Sequence, residues 1–292
     1  MTTAACVEPQ VLAREAIRRV STLATLPEVT AKIVQTVEDP KSTAAALHKI
    51  VAHDPALVSR ILKVVNSAFY GLPGQIGSIE RAIVLLGLNA VKNIAVAASL
   101  GQLFRGVKLC EGFTAKDLWT HSIAVGITAR ALAQELQVQI ADEAFLAGMI
   151  HDIGMLVALQ VWPEQLMRVC EAAQQAGGGV DFCQLERDIS GADHQHLGMA
   201  LTEAWKFPRS CQLVAGYHHR PAELAADTRL LVTIVHVADT LCAQHNHGFN
   251  LTAAGQKLDE VDLFDVKIDL KLVKKVEENL DKLVSGASGM FL

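Results

Sequence analysis

At 292 residues, with 51% hydrophobic, 20% charged and 5% aromatic side chains, the chain can bury a large core built mainly from Leu, Val, Ile and Ala, a mixture suited to packed helices rather than an aromatic-rich β-sandwich. A net charge of -5 and the lack of any long Lys/Arg run exclude a primary nucleic-acid footprint. Six cysteines without a C-x-x-C pair read as free thiols of a reducing cytoplasm. The N-terminus lacks the basic and then apolar pattern of an export signal. The most apolar runs, Ile94 to Phe104 and Leu230 to Cys242, are too short or too interrupted by polar residues to span a membrane. A soluble, cytoplasmic protein of two domains, or of one domain with two lobes, is expected.

The first helix is predicted over residues 10 to 20, and Leu26-Pro27 separates it from a second whose apolar positions are Val29, Ile33, Val34 and Val37. Asp39-Pro40 stops that helix. Ser42 or Thr43 can cap a third, with Leu47, Ile50 and Val51 as its buried side. Asp54-Pro55 is an N-cap followed by proline at the first helical position, and opens a helix with Leu57, Val58, Ile61, Leu62 and Val65 on one face. Asn66 to Gly74 is turn-rich, and Asn66, at a helix end, is suited to hold backbone groups. Ser78 to Gly87 predicts a short helix ended by Gly87, and Asn89 is placed to cap a long helix to Phe104.

Near Gly106 to Phe113 the pattern changes from Ala/Val-rich capped helices to histidine-containing ones, which sets a boundary there. Helices are predicted at about 114 to 136, 141 to 160, 163 to 176, 181 to 190, 193 to 206, 208 to 218 and 228 to 247, with Gln174 to Gly179 as a flexible joint. No strong strand pattern occurs. Asp269 to Val284 predicts one helix with an apolar stripe, which would pack back on the body or against a second subunit and so admits a homodimer. Gly286 to Gly289 reads as a frayed tail.

Within the predicted helix 141 to 160, the doublet His151-Asp152 stands in an otherwise apolar run. Two ionisable groups buried side by side require partners, because an uncompensated charge or ring nitrogen costs several kcal/mol in apolar surroundings. The candidate partners, His121, His194, His218, His219 and Asp239, lie in segments that read as helices or helix ends. Imidazole nitrogens with carboxylate oxygens suit Fe, Mn, Zn, Co or Ni rather than Ca or Mg. A His/Asp network can also satisfy itself without metal, since neutral imidazole donates at one nitrogen and accepts at the other. No nucleophile elbow, phosphate-cradling loop or dinucleotide fingerprint is present.

The run His53-Asp54-Pro55-Ala56-Leu57, Arg60-Ile61-Leu62, Asn66-Ser67-Ala68 and Ser78 to Gly87, with the His-Asp doublet a domain's distance on, resembles the HDOD (HD-related output domain) family of bacterial signalling. The order His, His-Asp, His, His pair, Asp is similar to the wider HD superfamily of metal-dependent phosphohydrolases. The resemblance, over roughly residues 20 to 245, implies an all-α, two-lobed fold, a helical lobe over 21–110 and an HD-like lobe over 111–247; the sequence pattern adds a helical extension over residues 1–20 and an acidic segment and helix over 248–292. The resemblance also implies a dinuclear transition-metal site, iron or manganese in preference to zinc. Asp152 would be the bridge, and His121, His151, His194, His218, His219 and Asp239 the remaining ligands. Asp117, one turn before His121, is placed either to join them or to cap its helix. His196 and His236, like His48 and His53, are expected as core or supporting groups.

The same resemblance implies a signalling module that acts on partner proteins, with a nucleotide or cyclic dinucleotide as candidate ligand; from charge and composition, neither nucleic acid nor membrane is expected as partner. The alternatives are a metal-dependent phosphohydrolase of a phosphodiester or nucleotide, and a metal-assisted nucleotide sensor. Catalytic HD-GYP relatives carry Lys where this chain has Met155, and Gly-Tyr-Pro where it runs Arg220-Pro221-Ala222. The loss of a fixed cation near phosphate argues against efficient catalysis.

Overall fold

The computed structural model describes residues 8–20, 26–37, 39, 41–67, 69–104, 108–177, 179–258, 263 and 266–286. Cys6, Pro40, Ala68, Gly106, Gly178, the side chain of Val37 and the tail beyond Gly286, each part of an expectation above, lie outside the described residues. The protein is mostly helical. α1 (Pro9–Arg19), α2 (Glu28–Val37), α3 (Ala44–Val51), α4 (Pro55–Val65), α5 (Ile79–Leu86) and α6 (Leu88–Leu100) make the first part. Their starts follow from capping chemistry: Thr43 Oγ1 accepts from the Ala46 N–H, Asp54 Oδ1 from Leu57 and Ser78 Oγ from Arg81. α6 is buried on nearly all sides, packing against α2 and α4 and also against α8 (Ala141–Ile150).

The rest is built around α7 (Ala115–Glu135) and α14 (Ala226–Gln244), with α9 (Gly154–Val161), α10 (Pro163–Gln175), α11 (Phe182–Ser190), α12 (His194–Ala204) and α13 (Arg209–Tyr217) between them. α15 (Leu270–Glu277) and α16 (Leu280–Ser285) pack back on α7. The extension helix α1 lies on α12 and α9 rather than on its neighbours in sequence. Buried side chains form one cluster from Ala13 to Val284. The segment Ala141–Val161 is long and apolar enough to cross a membrane by length and composition, but 83% of its most apolar window is buried inside the fold.

Four expectations need correction. Asn89 does not cap α6, because the helix already starts at Leu88 on Gly87, whose φ of 88° lets one residue close α5 and open α6. The predicted 141–160 helix is two helices: the His151 ring donates from Nδ1 to the Gly148 carbonyl at 2.7 Å, and the backbone passes through i to i+3 turns at Ile153, Met155 and Leu156. The predicted 269–284 helix is likewise two, where Asn279 Nδ2 donates to the Lys275 carbonyl at 2.9 Å and competes for the helical ladder. A short antiparallel pair, β1 (Lys108–Cys110) with β2 (Phe113–Thr114), occupies the expected boundary; two strands of three and two residues carry too little alternation to register in the sequence.

Candidate metal centre

All seven predicted ligands meet at one place. His121 comes from mid-α7, His151 and Asp152 from the turn between α8 and α9, His194 from the first residue of α12, His218 and His219 from the end of α13, and Asp239 from α14. Their ligating atoms fall into two adjoining groups, Asp152 with His194, His218 and His219, and His121 with His151 and Asp239, the atoms of each group lying within 4.8 Å of one another. Asp152 connects the groups. Its Oδ1 is 3.4 Å from both His194 Nε2 and His218 Nε2, while its Oδ2 is 3.4 Å from His151 Nε2.

The tautomers follow from what lies behind each ring. His121 Nδ1 is 3.0 Å from the His247 carbonyl, His151 Nδ1 2.7 Å from that of Gly148, and His218 Nδ1 3.0 Å from that of Val214. His194 Nδ1 is 2.6 Å from Glu186 Oε2. His219 Nδ1 is 2.5 Å from Gln256 Oε1, an orientation required because Gln256 Nε2 donates to the His236 carbonyl and to Thr240 Oγ1. A carbonyl or carboxylate oxygen can only accept, so every Nδ1 carries a proton and every neutral ring turns its Nε2 lone pair inward; His121 Nε2 meets Asp239 Oδ1 at 2.9 Å, a contact that a second ring proton or a metal ion makes favourable and two facing lone pairs do not. The inward lone pairs crowd: His194 Nε2 is 3.3 Å from His218 Nε2 and 3.1 Å from His219 Nε2. His151 Nε2, Asp152 Oδ1 and Asp239 Oδ2 have no hydrogen-bond partner although wholly buried.

Five inward lone pairs and two carboxylates repel one another unless positive charge sits among them. Without metal, protons must supply it. Burial opposes charge on His151 and His194, yet the Asp152 and Asp239 carboxylates push His151 up to about 10, and Glu186 with Asp152 pushes His194 up to about 9. Burial and the neighbouring ring charges hold His218 down to about 4 and His219 well below the usual range. Burial alone would raise Asp152 and Asp239, but the surrounding imidazoles hold both well below the ordinary carboxylate range. Two atoms each about 2.1 Å from one ion stand about 3.0 Å apart at an octahedral angle and about 3.4 Å at a tetrahedral one, close to the spacings found here. The residues therefore fit a transition-metal site.

Asp117 does not join the ligands. Its Oδ2 accepts from the Thr114 N–H at 2.7 Å and the Thr114 hydroxyl at 2.6 Å, forming the capping box of α7. Met155 is fully buried in the core, so it does not face solvent. Arg220 stands over the Tyr217 ring at 5.1 Å, donates to the Gly216 carbonyl and lines a cleft of about 570 Å³ beside His219, Gln195, Arg187, Thr252 and Gln256. His196 pairs with Asp193 at 2.5 Å, and His236 Nδ1 is 2.6 Å from the His218 carbonyl, both in supporting positions as expected. His48, paired with Glu80, and His53 are both exposed, so neither is the core or supporting group expected of it.

Sequence reasoning missed the groups that close and orient the site. Phe249 is fully buried, its N–H donating to the Asp117 carbonyl at 3.0 Å and its ring edge-on to Phe113 and Phe182. Thr252 Oγ1 donates to Asp152 Oδ2 at 3.2 Å, and Gln256 holds His219. The chain enters this segment through Gly248, where φ is +75° and a Cβ would lie 2.4 Å from the Asp117 carbonyl oxygen, so no other residue fits without displacement. Glu186 and Gln195, whose Oε1 accepts the His219 N–H at 3.1 Å, complete the support. A buried Glu one helix before a candidate ligand, or a Gly four residues before a Thr, carries no local pattern that marks it.

Residues 23–221 match the HDOD domain. A curated relative, an uncharacterized protein of Treponema pallidum (strain Nichols), is 26% identical over 230 residues, covering 78% of this chain, which spans only 44% of that relative's length. An HDOD domain protein of unknown function from Geobacter sulfurreducens superposes with a TM-score of 0.82 at 22% identity, over 97% of this chain and 98% of that one. A Marinobacter aquaeolei VT8 protein provisionally named for signal transduction gives 0.76 at 22% identity, over 97% of this chain and 66% of that one. A Shewanella amazonensis SB2B protein provisionally named a phosphohydrolase gives 0.73 at 22% identity, over 96% and 98%. At these identities the structural likenesses establish a common fold, and with the match over residues 23–221 the chain belongs to the HDOD family.

Proposed function

We propose that this chain is a bacterial signalling module of two helical lobes, acting in the cytoplasm through contacts with signalling proteins, with a buried dinuclear transition-metal centre of iron or manganese that organises its second lobe. The observation that carries the metal reading is the commitment of all five Nδ1 atoms to outside acceptors, which leaves five Nε2 atoms and two carboxylates converging with nothing but protons to compensate them. His121, His151 and Asp239 would hold one ion, and His194, His218 and His219 the other, with Asp152 shared. When bound, such a pair acidifies a water and neutralises phosphate oxygens.

Closure of the site supports regulation over turnover. His121, His151, Asp152, His194, His218 and Asp239 are all at or below 1% exposure, with Thr252 and Gln256 seated over them. Met155 supplies no cation where catalytic relatives of the superfamily place a lysine, and one lost phosphate contact typically costs about a hundred to a thousand in rate. Val84, 73% exposed, and Leu85 present apolar surface on α5, on the part of the chain that carries no ligand, as a protein-contact surface requires. The cleft beside His219, with Arg187 and Arg220 on its wall, favours nucleotide sensing as the second reading.

Protein purified without chelators is expected to hold up to two transition-metal ions per chain, with Asp152→Ala losing most of them in elemental analysis. Chromatographic assay of cyclic di-GMP with iron-, manganese- and zinc-loaded protein should show no breakdown above the Asp152→Ala control. Native metal content no higher than that of the variant after anaerobic loading sinks the metal reading. Robust turnover that vanishes in Asp152→Ala replaces the regulator with a phosphohydrolase.

A further inference from the structure

Glu186 is buried at 3% exposure on α11, outside the seven ligands. Its Oε2 accepts two hydrogen bonds from one residue, the His194 backbone N–H at 3.0 Å and the His194 ring Nδ1–H at 2.6 Å. The first satisfies a donor left open at the start of α12. The second acts on the metal centre, because the opposite nitrogen of the same ring, Nε2, faces Asp152 Oδ1 at 3.4 Å. The hydrogen-bond acceptors behind the other four site histidines are neutral, three backbone carbonyls and the Gln256 amide; the one carboxylate oxygen near another of these Nδ1 atoms, Asp239 Oδ2 at 3.7 Å from His219, is beyond hydrogen-bond reach. The two groups of ligands are thus backed unequally. A carboxylate behind imidazole locks the ring orientation and strengthens the other nitrogen as a donor to metal, whereas a carbonyl does so more weakly.

The 2.6 Å separation is a hydrogen bond, too short for two ligands sharing an ion, although Cys183, Glu186 and His194 lie close enough together to suggest a third ion position. We propose, resting on the metal-centre reading above, that Glu186 is the positioning residue that makes the site formed by His194, His218 and His219 with the shared Asp152 bind its ion more tightly than the site formed by His121, His151 and Asp239 with the same Asp152. Removal of its charge should bring the two affinities together.

The test is a titration of the chelator-stripped full chain with cobalt(II), followed by its visible absorption. Wild type should fill in two steps, and Glu186→Gln, which keeps both shape and an acceptor oxygen, should weaken the first step by about 10- to 100-fold and leave the second unchanged. Glu186→Asp, which keeps the charge, should recover part of the loss. Thermal midpoints of the stripped proteins separate this from helix capping: a capping role alone lowers the midpoint and leaves the ratio of the two affinities intact. A measurement on wild type needs no variant: in zinc-loaded protein, one imidazole Nδ1–H resonance, from His194, should lie downfield of the other four. Two-step uptake that is identical in Glu186→Gln, or five equivalent imidazole proton resonances, overturns the assignment of Glu186. A wild-type chain that takes up no cobalt overturns instead the metal reading beneath it.

Discussion

Asn66 illustrates how much one side chain can organise at the residue scale. Its Oδ1 accepts the Ile76 N–H at 2.6 Å, while its Nδ2 donates to the Ile76 carbonyl and to the Leu62 carbonyl, each at 2.8 Å. One amide therefore replaces a peptide partner for a buried residue ten positions away and pins the loop that carries Phe69 and Tyr70. Those rings receive the Arg130 guanidinium of α7 at 5.0 and 4.8 Å, so the loop is tied to the histidine-bearing helices as well. Asn66→Ala leaves the Ile76 groups without a partner and should cost about 1 to 3 kcal/mol, read as a lower midpoint in denaturant unfolding with an unchanged slope. Full stability in the variant would make the amide incidental.

At the scale of elements, the decisive contact is the one between α9 and α12. Gly154 opens α9, and a Cβ there would lie 1.9 Å from the His194 carbonyl oxygen and 2.6 Å from the Gly198 nitrogen. Both obstacles are backbone, so neither can rotate away. Gly154→Ala must separate the two helices and carry His194 away from Asp152, with an expected loss of about 3 kcal/mol or more and a lower metal content. Gly77, with nothing within 4 Å of a built Cβ, provides the comparison: Gly77→Ala should change neither quantity. Equal behaviour of the two variants in thermal unfolding would show that the α9–α12 approach is looser than its geometry implies.

The whole molecule converges on the centre from five separate segments, and an ion bound there cross-links α7, the α8–α9 turn, α12, the end of α13 and α14. Binding to the folded state alone adds stability that grows with the logarithm of ligand concentration over its dissociation constant, about 4 kcal/mol at a thousandfold excess. Stripping with a chelator should therefore lower the thermal midpoint by roughly 10 °C, reversibly on addition of manganese or iron, in wild type but not in Asp152→Ala. A midpoint indifferent to the chelator would mean that protons on His151 and His194 suffice to hold the cluster together.

The local chemistry of the chain determined much of this. Caps at Thr43, Asp54 and Ser78, and the side chains spaced along α4, act over a few residues, so they are legible in order along the sequence. The seven candidate ligands were legible too, because histidines and aspartates in apolar runs require partners, and the family resemblance points to which ones; the structure brings them together. Asp117 shows the boundary of such reasoning: its spacing from His121 suits a ligand, but Thr114 claims the carboxylate first. Only the tertiary structure decided what stands behind each ring and what covers the site. Glu186, Thr252 and Gln256 are ordinary polar residues in sequence, and their roles exist only because α11 and the segment after α14 are folded against the centre. The break at His151 has the same origin: the ring takes the Gly148 carbonyl that the helix would otherwise use, and an apolar run that would continue as helix becomes a turn that aims two side chains inward.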